Sequence, residues 1–356
     1  MTARRLLALA ASLTIAALVL GTTSAPASAR TVDDRCVQQR APIPMRSLAA
    51  ATRSGCSLVG RQVTDGRISV VVPPAGVSAA GDGIGRHGDV RGLTVTNTGT
   101  TVRAVRTAPT TSGLGGGGWY LAPLSSSTLG TTQTTTISTT STLGRTTPAR
   151  AGSPAACKDR TYHLEHHKWV SHLRYRINLG KMPKRFTKKD VTRQIQRANN
   201  NMRLGRNTCG KPHLRTPTSR YLGHTHAQPN VSAANGSVRC GSFNTRNVVG
   251  FGGLPGGLLG WTCYWWNSRT GRMIATDMRI DNGKYLATHL PKTCANKWDF
   301  EGTVTHEWGH AYGMAHTGNG HQNLTMQHLL APCSTYARTL GIGDWLGMNT
   351  MYGHRR

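Results

Sequence analysis

Eleven consecutive residues, 306–316 (HEWGHAYGMAH), carry the densest chemistry in the chain. His306 and His310 stand four apart, so on a helix they share one face, with Cβ atoms about 5–6 Å apart. That spacing suits two imidazoles on one zinc, at about 2.0–2.1 Å from each nitrogen. Glu307 lies one step round the helix and reaches a water on the metal rather than the metal itself. Gly313 can take a positive φ, end the helix and turn the chain so that His316 becomes a third ligand. Three neutral imidazoles leave the dication's charge uncompensated and one position open. In that arrangement zinc lowers the pKa of its water towards ~7 and polarises a carbonyl. Glu307 would take the proton and pass it to a leaving amine. A bare HExxH arises by chance on surface helices. Here Gly313 and His316 extend it at a fixed spacing, and Glu307 is one of only three glutamates, with Glu165 and Glu301.

The string needs elements to hold it. Residues 298–312 read as the helix that carries it, and residues 344–351 as a short last helix with Asp344 as N-cap and Gly353 beyond its end. Val191, Ile195, Ala198 and Met202 recur at helical spacing over residues 188–202, with Thr187 as N-cap. Residues 173–179 (LRYRINL) and 273–280 (MIATDMRI) alternate like strands, whereas residues 205–270 read as loop-rich. Trp261, Tyr264, Trp265 and Trp266 either pack a sheet or line a cleft rim, and packing is the preferred reading. The fold class expected is α+β: a twisted mixed sheet, a first helix and an active-site helix, then a smaller C-terminal part after Gly313, with the substrate cleft between.

The spacing HExxHxxGxxH resembles that of the metzincin zinc metalloproteases. The chain is most similar to the matrixin branch, in a secreted bacterial form. Thr317 follows the third histidine, where matrixins usually carry Ser. Residues 344–353 (DWLGMNTMYG) resemble the matrixin final helix. Residues 168–202 resemble the family's opening strand and first helix, residues 274–282 the strand before the active-site helix, and residues 299–306 the start of that helix. The likeness covers residues 157–356. It implies an endopeptidase with one catalytic zinc on His306, His310 and His316, Glu307 as general base and acid, and protein or peptide substrates. It also implies a methionine turn beneath the zinc, for which Met326 is the candidate against an ordinary core methionine. His328, two residues on, stands where some metzincins place a tyrosine that helps at the metal; the alternative is a solvated surface histidine. Residues 322–332 should shape one cleft wall. Few acids accompany these histidines, so calcium, or a second zinc at His213, His224 or His226, is not expected. Cys36 does not match the matrixin latency motif. Arg239-Cys240-Gly241 matches its core, but a disulfide is the better reading for Cys240.

The 356 residues carry 43 Lys+Arg against 14 Asp+Glu, a formal charge of +29 that argues against an acidic calcium-loaded protein and most cytosolic enzymes. Arg4, Arg5, an apolar run over residues 6–20 and Ala27-Ser28-Ala29 read as a signal peptide over residues 1–29. Its removal lowers the charge to +27 and leaves all eight cysteines. The product is expected to be extracellular, with the cell wall as one destination, monomeric and without a membrane span. Residues 30–96 hold a modest β signal at 67–72 (RISVVV) and 92–96 (GLTVT), and form either a pro-region or an adhesive module. Residues 97–156 are Thr/Ser/Gly-rich and read as a linker, with Arg145 and Arg150 as basic processing sites. An even cysteine count in an exported chain suggests disulfides. Cys36 and Cys56 are expected to pair, and the other six allow 15 pairings. The basic runs over 181–189 and 193–206 suit anionic cell-envelope polymers or a merely solvated surface. No specific nucleic-acid pattern accompanies them. The rival function is a non-catalytic cationic exported protein with a structural zinc.

Overall fold

The computed structural model describes residues 41–88, 90–107, 154–165 and 167–354. The expected signal peptide, Cys36, Arg145 and Arg150 lie outside the described residues. In chain order the first elements are β1 (Ile43–Pro44), α1 (Leu48–Arg53), β2 (Gln62–Asp65), β3 (Ile68–Val71), β4 (Val77–Gly85), β5 (Gly92–Asn97) and β6 (Val102–Thr107). After residue 154 come β7 (His163–Leu164), β8 (Leu173–Ile177), α2 (Lys188–Arg203), β9 (Ser219–His224), β10 (Val231–Ala234), β11 (Ser237–Cys240) and β12 (Val248–Phe251). The remainder is β13 (Leu258–Asn267), β14 (Met273–Ile280), β15 (Leu286–Ala287), β16 (Trp298–Asp299), α3 (Phe300–Tyr312), β17 (Met314–Ala315) and α4 (Ile342–Tyr352). The chain is therefore a mixed α+β protein.

One eight-stranded sheet organises it, in the order β6-β5-β4-β13-β14-β12-β8-β9. The strands β14, β12, β8 and β9 run parallel, and β13 runs antiparallel to β14. On the free side of β13 lies β4, antiparallel and in register from Val77↔Asn267 to Leu258↔Gly85. A smaller sheet, β1-β2-β3-β11-β10, adds a second junction through the parallel pair β3 and β11. Residues 41–107 thus share both sheets with residues 157–354 instead of forming a separate layer. Strand β6 also reaches into the stretch read as linker from residue 97, because Val102–Thr107 pairs along all of β5.

Each face of β13 is covered by a different core. Tyr264 and Trp266 point to the side that packs against α2 and α3, with Trp308, Phe300, Ile195 and Met202. Trp261 and Trp265 point the other way, against Val63, Val70, Val95 and Val238. The aromatic cluster is buried on both faces, as the packing reading expected. The glycines of β4 explain why this strand escapes a pattern search. A Cβ at Gly81 would lie 2.7 Å from the Trp261 Nε1, and one at Gly83 would lie 2.3 Å from the carbonyl oxygen of Gly260. Glycine lowers strand propensity, but here the neighbouring backbone and indole take its place. The same kind of override corrects the loop-rich reading of 205–270, which contains β9 to β13.

Helix α2 begins at Thr187, whose Oγ1 accepts from the Asp190 N–H at 3.0 Å. Helix α3 begins at Asp299, whose carboxylate accepts from the Gly302 N–H at 2.7 Å and is held by Arg338. The last helix starts earlier than expected. Asp344 is not its N-cap; it sits inside the first turn and accepts the Gly341 N–H at 2.9 Å. Disulfides join Cys157 to Cys209, Cys240 to Cys263 and Cys294 to Cys333. Cys56 is also disulfide-bonded. Among the described residues no helix is long and apolar enough to cross a membrane.

Trp265→Ala in the full chain is expected to lower the unfolding free energy by about 3–5 kcal/mol, the cost of a large aromatic cavity. Val105→Ala, at a side chain 46% exposed, should change it by less than about 0.5 kcal/mol. Guanidinium titration followed by circular dichroism measures both.

Candidate metal centre

Helix α3 is buried along its whole length. It places His306 and His310 on one face and stops at Gly313, whose φ of 101° turns the chain back. A Cβ there would lie 2.2 Å from the carbonyl oxygen of His167, so position 313 requires glycine for both conformation and space. The turn brings His316 to the other two. The three Nε2 atoms lie 3.0 Å (His306 to His310) and 3.1 Å (each to His316) apart.

Their outer nitrogens are oriented by acceptors. The Nδ1 of His306 donates to the Thr325 carbonyl at 2.7 Å, and that of His310 to the Met314 carbonyl at 3.0 Å. A carbonyl only accepts, so the proton sits on Nδ1 and the Nε2 lone pair faces the common point. The Nδ1 of His316 lies 3.5 Å from the carboxylate of Asp82. Burial, reinforced by the neighbouring imidazoles, holds His306 and His316 well below the usual histidine range. Burial lowers His310 to about 3. All three are therefore neutral donors at physiological pH. Among the described residues this is the one group of three or more His, Cys, Asp or Glu side chains close enough to hold a metal ion.

The fit to a dication can be judged from the donors and their surroundings. A tetrahedral ion with bonds of about 2.0–2.1 Å sets its nitrogens roughly 3.3 Å apart, close to the spacing seen. Two buried carboxyl groups stand beside the site, Asp82 at 3.5 Å from His316 and Glu307 next to His306 in the chain. Burial pushes both well up. A positive charge at the three nitrogens would offset that burial of acids.

Glu307 is fully buried. One carboxylate oxygen accepts the Ile84 N–H at 3.1 Å, and the other accepts the Thr262 hydroxyl at 2.5 Å. Gly260 makes room, since a Cβ there would come within 2.5 Å of the first oxygen. Met326 is buried beneath α3 and faces Gly309, where an added Cβ would lie 2.1 Å from its sulfur. The segment that carries it is pinned by Asp344, which accepts the N–H groups of Thr325 (2.7 Å) and Met326 (3.1 Å) as well as that of Gly341. His328 is buried rather than solvated, with its ring 6.1 Å from that of His316, outside the convergent group. Its carbonyl accepts the Gly85 N–H at 3.1 Å. Away from this centre, His224 bonds Thr192.

Asp82, Ile84, Thr262 and the anchoring role of Asp344 were not found in the sequence. Nothing local marks Asp82 or Ile84, which lie over 200 residues from α3 and are brought to it by the pairing of β4 with β13. No protein-family model matches the chain, and no curated protein matches it by sequence.

Asp344→Ala strands three buried N–H groups. At about 1–3 kcal/mol for each unsatisfied group, the expected loss is at least about 3 kcal/mol. Asp344→Asn, which keeps one acceptor oxygen, should lose less. Thermal unfolding gives the order, and metal content reports whether the turn under α3 survives.

Proposed function

We propose that the protein is a secreted zinc-dependent endopeptidase of the metzincin kind, nearest the matrixins, with His306, His310 and His316 as zinc ligands. The observation that carries this reading is the triangle of neutral Nε2 atoms 3.0–3.1 Å apart, with Glu307 one residue from the first ligand. Zinc bound there supplies Lewis acidity, lowering the pKa of water towards ~7 and polarising a peptide carbonyl. Glu307 takes the proton and delivers it to the leaving nitrogen. Thr262 orients the carboxylate. Met326 and Asp344 keep the floor beneath the histidines rigid, so the ligands are positioned before any substrate arrives. The strand β13 beside α3 is hydrogen-bonded on both edges, to β14 and β4, so an extended peptide could lie along it only in place of β4.

Export is supported by the signal-peptide pattern over residues 1–29 and by the disulfide-bonded cysteines. One observation favours the rival, a cationic binding protein. A groove on the sheet is lined by Arg174, Arg176, Arg246 and Arg272 and by no acidic residue. In the peptidase reading the same groove would hold the enzyme near anionic envelope polymers.

Zinc content and hydrolysis test the reading together. The full chain should bind one zinc, retain it as Glu307→Ala and lose it as His310→Ala, measured by atomic emission. Casein hydrolysis is then compared between wild type and Glu307→Ala, before and after limited trypsin treatment of the 108–153 segment. A 10²- to 10⁴-fold loss in Glu307→Ala is expected, about the share general acid–base catalysis supplies. Zinc bound equally, with no difference in hydrolysis under either condition, overturns the peptidase and leaves the binding protein.

A further inference from the structure

In β8, Leu173, Tyr175 and Ile177 enter the core that contains α2 and α3. Arg174 and Arg176 alternate with them and so stand on the opposite face of the sheet. A groove of about 930 Å³ opens there, lined also by Arg246 and Arg272. Arg246 lies in the turn before β12, which pairs with both β8 and β14, and Arg272 directly precedes β14. The four arginines therefore lie across three neighbouring segments of the sheet.

No acidic residue lines this groove. Elsewhere the scarce carboxylates hold arginines: Asp65 with Arg106, Asp190 with Arg193, Glu301 with Arg197 and Asp299 with Arg338. Among the described residues, Arg174, Arg246 and Arg272 have no such ion pair and no side-chain hydrogen bond, and Arg176 bonds the Leu222 carbonyl at 2.9 Å. Arg246 acts through space on Asp277, which is buried. The positive charge is thus uncompensated at the surface of the groove. It is also held in place. The Asn247 side chain donates to the Arg174 carbonyl and accepts the Thr276 N–H, both at 2.8 Å. Asp277 accepts the Val248 N–H at 2.8 Å. The turn carrying Arg246 is pinned to the strands on both sides, so charges that repel one another are fixed together.

Guanidinium forks bind oxyanions through two hydrogen bonds at once. Arg174 and Arg176, two residues apart on one strand face, stand roughly 6–7 Å apart, a repeat that successive charged groups of a chain can match. A phosphodiester carries its charge on the chain itself, and the forks reach that charge when the chain lies in the groove. Ser171 and Thr245, both exposed in the lining, offer hydroxyls to a polyol. Single-stranded nucleic acid is instead bound by stacking its bases on exposed aromatic rings. The lining holds one Trp, Tyr or Phe, and this residue, Trp169, is buried with its indole N–H on the Ala311 carbonyl at 2.8 Å.

We propose that this groove binds a linear phosphodiester polymer without bases, a polyol phosphate chain, on Arg174, Arg176, Arg246 and Arg272. The sheet separates the groove from α3 and its histidines, so a bound chain leaves the metal centre uncovered. The proposal does not rest on the peptidase reading, and its failure would leave that reading standing.

The test titrates poly(glycerol phosphate) into the full chain by calorimetry at graded salt. Arg174→Gln with Arg246→Gln removes two forks at exposed positions. Lys188→Gln with Lys189→Gln, exposed on α2, removes the same charge elsewhere and is the control. The groove variant should bind at least about 10-fold more weakly, the loss of one charged hydrogen bond or more. Its slope of log K against log salt should shrink by about 1.4, two phosphates at ~0.7 each. The control should stay within about 3-fold, because exposed charges away from the groove are screened. Equal weakening of the two variants, or no binding by the wild type, overturns the proposal. Oligothymidylate and polygalacturonate of equal charge are the competing probes. Tighter groove-dependent binding of either gives the site to bases or to carboxylates and overturns the polyol phosphate; binding no tighter upholds it. Thermal unfolding checks that the variants fold. Should the groove pair fail, Arg272→Gln alone is read in its place, with a slope change of about 0.7 expected.

Discussion

Three neutral imidazole nitrogens held about 3 Å apart in a buried interior are the constraint from which the rest of the structure follows. Unprotonated nitrogens at that distance present lone pairs to one another, and protonated ones would bury unpaired charge. The arrangement is tolerable only if each ring is held by its far nitrogen and a cation can sit at the common point. Two of those holds are main-chain carbonyls, at Thr325 and Met314. Both lie beyond the end of α3, so the path of the chain after Gly313 is as much a part of the site as the helix. Asp344 then fixes that path from the last helix. A buried carboxyl on three backbone donors is costly to place, and its pKa is pushed up to about 6 by burial. It is retained where a loop must be positioned to a fraction of an ångström.

The second organising fact is that β13 has no spare face. Its two sets of aromatics serve two cores, one built mostly from residues after 157 together with Ala80 and Ile84, and the other mostly from residues 43–95. The N-terminal strands thus take part in the burial that stabilises the metal centre's own sheet. They also reach its chemistry, through Ile84 and Asp82. Sheet pairing and contact with the candidate site reside in the same nine-residue strand.

What the sequence disclosed was local. The string 306–316 named its three histidines and the glycine that turns the chain, since helical spacing and left-handed φ are properties of a few adjacent residues. Helix α2 and its Thr187 cap were legible for the same reason, as was β14, predicted over its observed span. Met326 was found by its distance from His316, and its burial under Gly309 agrees with a supporting place. Strand β4 was not legible, because alternate glycines suppress the very pattern that marks a strand. Its identity lies in Trp261 and Gly260, some 180 residues away. The first turn of the last helix was misread because Asp is a common N-cap; here the same carboxyl instead reaches back to the cap and across to another loop.

The disulfides divide the molecule unevenly. The bonds 157–209, 240–263 and 294–333 all lie within the second part of the chain. No described disulfide ties β1–β6 to it. Once the backbone between residues 107 and 154 is broken, the N-terminal piece is held by non-covalent contacts alone among the described residues: strand pairing, apolar packing, and the polar contacts of Ile84 and Asp82. Its departure bares the β13 edge together with Trp261 and Trp265, a flat aromatic border of the kind that pairs with further copies of itself. The uncovered form would therefore be colloidally fragile.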